Sequence, residues 1–593
     1  MKYRREIDGL RALAVVPVIL AHAGIEIFSG GFIGVDVFFV ISGYLITIII
    51  LDELEKGEFK IVNFYERRAR RILPALFVVM LISTIVGYFL LMPDEYKNLG
   101  QSLVATSLFS NNILLGITSG YWDLASEFKP LLHTWSLGVE EQYYVFSPIF
   151  LLLAWKLNKK IIPLMLWAFF IISLLFSVWF VSISPDWAFY LLPTRAWELA
   201  VGGITVIFMR SRPNISQNIL LSNIFSFLGF AAIIISVFVF GKTTQSPSYP
   251  LLVPTLGAVL IIVFSQPKTL TYYVLSQKWV VFIGLISYSL YLWHQPIFAY
   301  YRSYSNEKPS GAEFLALIPI IFLLSYLTWK YIESPFRNKK LMTRKTIFMF
   351  TILGSSVFMI VGLYLNQSYG IPSRVFDSSI NKEDMDKRIY NEKAYRFKAD
   401  EFSDIQKTKI IIVGNSFARD FVNITTETFN TRNHEIVYRS DIKQCIFPYN
   451  NILSENLYST ADVIVFASGG FNGNCLESDL QYAKKNSKNI FYVGTKDFGY
   501  NLNWIIRLNE NEKANRYNTI SNSVIDADIE MGDRVPRENY ISLLKPTLVG
   551  NTIPITDESG RMLSTDRAHL TKYGAIYFGN NAVLNSPYSE VFR

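Results

Sequence analysis

Apolar positions along the chain fall into two regimes. Up to about residue 366 they form long, nearly unbroken runs separated by short charged loops; beyond it, short apolar runs alternate with charges. Crossing a hydrocarbon core takes about 20 apolar residues in a helix. Windows of roughly that length lie at about 12–29, 34–51, 73–92, 142–157, 161–181, 188–209, 219–240, 250–266, 279–301, 312–332 and 346–366. The pattern predicts about eleven transmembrane helices packed as an all-α bundle. The stretch at about 101–117 is too polar to face lipid and predicts a re-entrant or surface helix.

The second regime starts near residue 371. Residues 371–405 are polar, charged and without steady periodicity, which predicts a linker or irregular extension. From Lys409 the pattern tightens into buried-strand signals at Ile410–Val413, Val463–Ala467 and Ile490–Val493, with helix-length stretches between them. Strands alternating with helices predict an α/β three-layer domain with a mainly parallel sheet over about 406–593. The expected division is ten spans in 1–340, a further transmembrane helix in 341–370, the linker, and one soluble domain of about 190 residues, enough for its own core.

Over 593 residues the chain is 51% hydrophobic and 18% charged, with a formal net charge of +8. That excess of cations does not point to nucleic acid, because Lys and Arg cluster in the short loops between apolar windows. Lys2, Arg4, Arg5 and Arg11 precede or open the first window, Arg67, Arg68, Arg70 and Arg71 follow the second, and Lys156, Lys159 and Lys160 follow the fourth. Arg210 and Arg212 follow the sixth, and Arg337, Lys339, Lys340, Arg344 and Lys345 the tenth; the loops between hold only Lys242, or Arg302 with Lys308. The positive-inside rule then predicts a cytoplasmic N-terminus. An odd span count puts the C-terminal domain on the periplasmic or extracellular side. No small-residue cleavage site follows the first apolar run, so no signal peptide is expected to be removed.

Ionisable residues inside apolar windows are costly and need a reason. His22 lies in the first window, eleven positions after Arg11 and so about 16 Å farther along a helix. His133 stands in His-Thr-Trp-Ser-Leu-Gly-Val-Glu-Glu-Gln and His294 in Ser-Tyr-Ser-Leu-Tyr-Leu-Trp-His-Gln-Pro; each lies beside aromatics and hydroxyls. A neutral imidazole away from water is suited to take a proton from a hydroxyl or relay an acyl group. Arg11 and the four-arginine group suit the phosphates of a nucleotide donor. Asp36 and Glu140 are candidates to orient a histidine or to pair with a structural arginine.

Ile7-Asp-Gly-Leu-Arg-Ala-Leu-Ala, the Arg11–His22 spacing, Phe38-Phe-Val-Ile-Ser-Gly-Tyr-Leu, Phe64-Tyr-Glu-Arg-Arg-Ala-Arg-Arg-Ile-Leu-Pro, His133–Gln142 and Ile286-Ser-Tyr-Ser-Leu-Tyr-Leu-Trp-His stand in this order over about 335 residues. Together they resemble the membrane acyltransferase-3 family. The resemblance implies acetyl transfer from cytoplasmic acetyl-coenzyme A to a carbohydrate across the membrane, with His22 catalytic, no metal, and Arg11, Arg67, Arg68, Arg70, Arg71, Asp36, His133, Glu140 and His294 binding the donor or supporting.

In the soluble part, the strand at Ile410 runs into Gly414-Asn-Ser416-Phe-Ala-Arg-Asp420, a strand-to-helix turn that suits a nucleophile. Far downstream, Asp566-Arg-Ala-His569 places a carboxylate three residues before an imidazole. His569 then reads as base and Asp566 as the group that fixes its tautomer. With Gly470-Phe-Asn472 after the second strand, these blocks resemble the SGNH hydrolase family. That likeness implies Gly470 and Asn472 as oxyanion donors. Two positions depart from the family pattern, Asn415 in place of Asp and Gly473 after Asn472. Cys445 and Cys475 carry no metal-ligand spacing; outside the cell they can close a disulfide or remain two buried thiols.

The combined expectation is an O-acetyltransferase of the bacterial inner membrane whose acceptor is an envelope glycan, free or lipid-linked, with lipopolysaccharide O-antigen ahead of peptidoglycan. A transporter of a lipid-linked sugar and an acetyl-glycan esterase are the alternatives.

Overall fold

The structure is a computed structural model that describes residues 3–118, 125–241, 243–376, 384, 387–404, 406–447, 451–469 and 473–593. The chain divides into two compact units. One comprises Met1–Tyr88, Glu95–Arg302 and Pro309–Gly370; the other comprises Phe89–Asp94, Ser303–Lys308 and Ile371–Arg593.

The first unit is helical, and the eleven apolar windows lie on helical elements, with 12–29, 188–209 and 279–301 interrupted at residues 23–25, 191 and 286. Among the described residues seven helices are long and apolar enough to cross a membrane, and Lys278–Leu285 with Ser287–Tyr304, bent by 64° at their junction, makes an eighth if counted as one broken span. The remaining windows lie in Arg5–His22 and Thr134–Asn158, which carry several charged residues, and in the shorter apolar helix Tyr249–Phe264. The stretch at 101–117 forms two helices, Pro93–Ser107 and Asn111–Ile117. Its polar side chains turn inward: Asn111 donates to Leu131 O at 3.0 Å and Asn112 to Tyr190 O at 3.1 Å. Backbones approach closely where glycines face one another. A Cβ on Gly43 would sit 1.9 Å from Leu199 O, and one on Gly202 would sit 2.2 Å from Val40 O. Small residues permit that approach of the helices Gly34–Glu55 and Leu192–Ser211.

The second unit is α/β. Its strands are β1 (Thr408–Val413), β2 (His434–Arg439), β3 (Val463–Ala467), β4 (Asn489–Val493), β5 (Tyr517–Thr519), β6 (Tyr540–Ile541) and β7 (Thr552–Pro554). Five of them form a sheet in the order β2-β1-β3-β4-β6 with every pairing parallel. β5 and β7 pair antiparallel apart from it. Alternate side chains enter two separate cores. Ile410, Ile412, Val463, Val465 and Phe491 pack on one face, and Ile411, Val413, Ile464, Phe466 and Ile490 on the other. Burial on both faces explains why β1, β3 and β4 read as unbroken apolar runs. Four strands escaped the sequence pattern: β2, whose apolar run is flanked by His434, Glu435 and Arg439, and β5, β6 and β7, which have three, two and three residues.

The segment read as a linker or irregular extension at 371–405 contributes to the core, because Val375, Tyr390 and Ala394 are buried within the same cluster as Ile410 and Phe421. The helix Lys387–Glu392 and the 3-10 turn Lys393–Phe397 carry the last two. Three buried apolar residues in a largely polar stretch leave little periodic signal.

Candidate active site

Three histidines far apart in sequence meet inside the helical unit. The rings of His22 and His294 lie 5.1 Å apart edge-on, and those of His133 and His294 lie 5.5 Å apart. Tyr291 completes the group, 5.4 Å from His133 and 5.3 Å from His294. Helix ends place two of them: His22 is the last residue of Arg5–His22, and His133 is the N-cap of Thr134–Asn158. Nδ1 of His22 lies 2.8 Å from Val18 O, and Nδ1 of His294 lies 2.6 Å from Tyr291 O. A carbonyl oxygen only accepts, so each Nδ1 carries the proton and each Nε2 presents its lone pair. Both imidazoles are therefore set up as bases.

His133 also lines a cavity together with Arg11, Ser42, Arg68, Arg71 and Glu140. A second cavity is rimmed by Arg11, Arg67, Arg70, Arg71, Arg337 and Lys339. Arg11, Arg71, Ser287 and Tyr288 belong to both walls, so the basic space and the histidine-bordered space adjoin. Eleven residues make about three helical turns, so Arg11 and His22 stand on one face of their helix. This is the physical content of their spacing.

The four-arginine group divides. Arg70 is buried and bonded to Glu66 through two nitrogens at 2.8 and 2.9 Å, with further bonds to Phe336 O and Met342 O. Arg67 pairs with Glu53 at 3.0 Å. Arg68 lies over the rings of Phe64 and Tyr144, 5.9 and 5.6 Å from their centres. Among the described residues Arg71 makes no ion pair. Arg68 and Arg71 are thus the members of the group not committed to a carboxylate. Arg11 is held by Asp8 at 2.9 Å.

The two acidic candidates do not orient a histidine. Asp36 takes a 2.6 Å bond from Arg195, which also reaches Glu198 at 3.0 Å; all three are buried. Glu140 accepts from the hydroxyls of Ser42 and Tyr144 on the cavity wall. Sequence reading missed Tyr291, Tyr144, Arg195 and Arg337. Arg337 is held by Glu333 at 2.8 Å across a π-helical turn, Trp329–Glu333, and nothing in its local pattern marks it as part of a wall.

The α/β unit supplies a second constellation. β1 ends at Val413 and the next helix begins at Ser416, with Asn415 as its N-cap. Asn415 accepts the Phe417 N–H at 3.0 Å and donates to Ser468 O at 3.0 Å, so it ties the turn to the end of β3. Gly414 is required there: its φ is +147°, and a Cβ would meet Ala467 O at 1.9 Å. Ser416 is buried, and its Oγ makes no hydrogen bond to any described residue. His569 Nδ1 bonds to Asp566 Oδ2 at 2.6 Å, while Asp566 Oδ1 accepts the backbone N–H of Ala568 and His569 at 2.8 and 2.7 Å. The carboxylate accepts a hydrogen bond from Nδ1–H, which leaves Nε2 as the basic nitrogen. Gly470 and Asn472, expected as oxyanion donors, lie outside the described residues.

Cys445 and Cys475 are joined, with 5.6 Å between their Cα atoms. Beside them the buried Asp479 accepts the Ile446 N–H at 2.9 Å and the Tyr492 hydroxyl at 3.2 Å. Burial pushes its carboxyl up to about 6. No group of His, Cys, Asp and Glu among the described residues is arranged to hold a metal ion.

The sequence profile described as an acyltransferase domain (Acyl_transf_3) matches residues 4–330, more than half of the chain, and the chain belongs to that family. It is 34% identical over 357 residues to the peptidoglycan O-acetyltransferase OatA of Listeria monocytogenes, covering 57% of this chain and 56% of that protein. It is 29% identical over 456 residues to the O-acetyltransferase OatA of Staphylococcus aureus strain MRSA252, covering 72% and 74%. The first Staphylococcus aureus relatives it matches, at 32% identity, are spanned over 58% of their length. No solved structure matches the chain.

Proposed function

We propose that this member of the acyltransferase family is a multi-pass membrane O-acetyltransferase that takes acetyl from acetyl-coenzyme A and delivers it to a hydroxyl of a cell-envelope glycan. The observation that carries the reading is the basic cavity adjoining one bordered by His133, which belongs to the cluster with His22 and His294. Guanidinium groups suit the phosphates of coenzyme A, and Arg68 and Arg71 are the uncommitted ones. The thioester then reaches toward the histidines. Nε2 of His22 removes the proton of the attacking group and returns it to the departing thiolate.

The α/β unit finishes the transfer in this reading. Ser416 Oγ attacks the delivered acetyl group as His569 Nε2 takes its proton, and the carrier leaves with that proton. The glycan hydroxyl then attacks the acetyl-serine, His569 takes the hydroxyl proton, and Ser416 recovers it. Asp566 keeps Nδ1 protonated throughout. Cation-rich loops following alternate windows favour a cytoplasmic N-terminus, and an odd number of spans would then set the α/β unit on the acceptor side.

Sequence reading ranked lipopolysaccharide O-antigen ahead of peptidoglycan. The name of the Listeria relative supports peptidoglycan as the acceptor instead. The test is transfer of label from radioactive acetyl-coenzyme A to peptidoglycan by the full chain in membrane vesicles. Label is expected on the glycan with the natural chain and not with Ser416→Ala. Normal transfer by Ser416→Ala would sink the serine relay, and absence of label with the natural chain would sink acetyl transfer itself.

A further inference from the structure

In the α/β unit a buried ion pair has no role in the proposed chemistry. Lys496, in the loop after β4, and Asp420, one turn after Ser416 on its helix, bond at 2.8 Å with both side chains 0% exposed. An isolated ion pair so deep in a protein is costly to bury and stays only where further bonds satisfy both ends. Here those bonds go to the two residues that flank His569. Lys496 Nζ donates to Ala568 O, and Asp420 Oδ2 accepts the Leu570 N–H at 3.2 Å.

The same pair also grips the nucleophile side. Lys496 Nζ sits 3.8 Å from the centre of the Phe417 ring, the residue after Ser416. Asp420 Oδ1 accepts from Asn391 at 2.6 Å, and the same Asn391 nitrogen donates to Ser416 O at 3.3 Å. One ion pair therefore holds both neighbours of His569 to the helix turn that carries Ser416.

We infer that Lys496 and Asp420 are positioning residues that set His569 in register with Ser416. The inference rests on the reading of Ser416, His569 and Asp566 as a catalytic unit. Distances between reacting groups matter at the scale of an ångström. A backbone fixed on both sides of the imidazole leaves the ring with the freedom of its side-chain torsions only.

The test uses the full chain in detergent, with a fluorophosphonate as probe of Ser416 and a chromogenic acetyl ester as substrate. Loss of labelling in Ser416→Ala and in His569→Ala establishes the catalytic unit; labelling that persists in Ser416→Ala overturns that unit and the inference with it. Given the unit, Lys496→Met is expected to slow labelling and ester kcat at least tenfold with KM within a factor of two, and Lys496→Arg to recover part of the loss. Folding is followed by the melting transition. If Lys496→Met does not fold, Asp420→Asn and Lys496→Arg are read in its place. Folded variants that label at the natural rate overturn the inference, as does a loss confined to KM.

Discussion

His22 and His294 stand edge to edge with ring centres 5.1 Å apart, each with Nδ1 bonded to a carbonyl of its own helix. Two bases so close act as a unit in the proposed reaction. His22→Ala is expected to lower glycan acetylation at least about 100-fold and His294→Gln at least about 10-fold, in the range of general acid–base catalysis. The double variant should be no worse than His22→Ala, because the members of a catalytic unit do not contribute additively. Acetate released from the purified glycan by mild base gives the readout. Losses that multiply in the double variant would show that the rings work independently.

Arg71 and Arg67 lie four residues apart on one helix and should behave differently. Arg71 keeps its charge available on the walls of both cavities, so Arg71→Ala should raise the KM for acetyl-coenzyme A by about tenfold or more, the worth of one charge-assisted hydrogen bond. Arg67 pairs with Glu53 where both side chains are partly exposed, and such pairs contribute about 0–1 kcal/mol, so Arg67→Ala should change KM less than about threefold. Equal effects of the two would remove the distinction between them.

The bond between Cys445 and Cys475 spans 30 residues, and a loop of that length stabilises a fold by about 3 to 4 kcal/mol in the chain-entropy account. Cys445→Ser is expected to lower the melting temperature of the α/β unit by about 6 to 15 °C. Cys475→Ser and the double variant should match it. A double variant markedly less stable than either single one would mean that the thiols contribute separately.

Burial holds the Asp479 carboxyl at about 6, above the ordinary carboxylate value, so the folded unit binds a proton there that the unfolded chain has lost. Stability then falls as pH rises from about 4 to about 6 and levels off above, with about 3 kcal/mol as the upper bound of the effect. Asp479→Asn should flatten that part of the stability profile and raise stability at pH 7. Melting temperatures of both proteins between pH 4 and pH 7 test this, and parallel profiles would count against it.

Legibility in the sequence followed the range of the interaction. Apolar windows and buried parallel strands are local patterns, so the helices and β1, β3 and β4 were readable, as were Asp566 and His569, whose bond spans three residues. Contacts between distant segments were not. Residues 22, 133 and 294 meet only once three helices pack, and the sorting of Arg68 and Arg71 from Arg67 and Arg70 depends on which carboxylates the fold brings near. Asp420 is four residues from Ser416, yet its partner Lys496 is 76 positions farther on, beyond any local period.

Tyr390, Ala394 and Asn391 carry a consequence for modularity. A chain begun at β1 would look complete by its strands while lacking a wall of its core and the side chain that holds the carbonyl of Ser416. Any shuffling, truncation or grafting of the α/β unit has to carry the stretch from Pro372 onward. The start of the α/β unit therefore lies next to the last long helix, Arg344–Gln367, and not at the first strand.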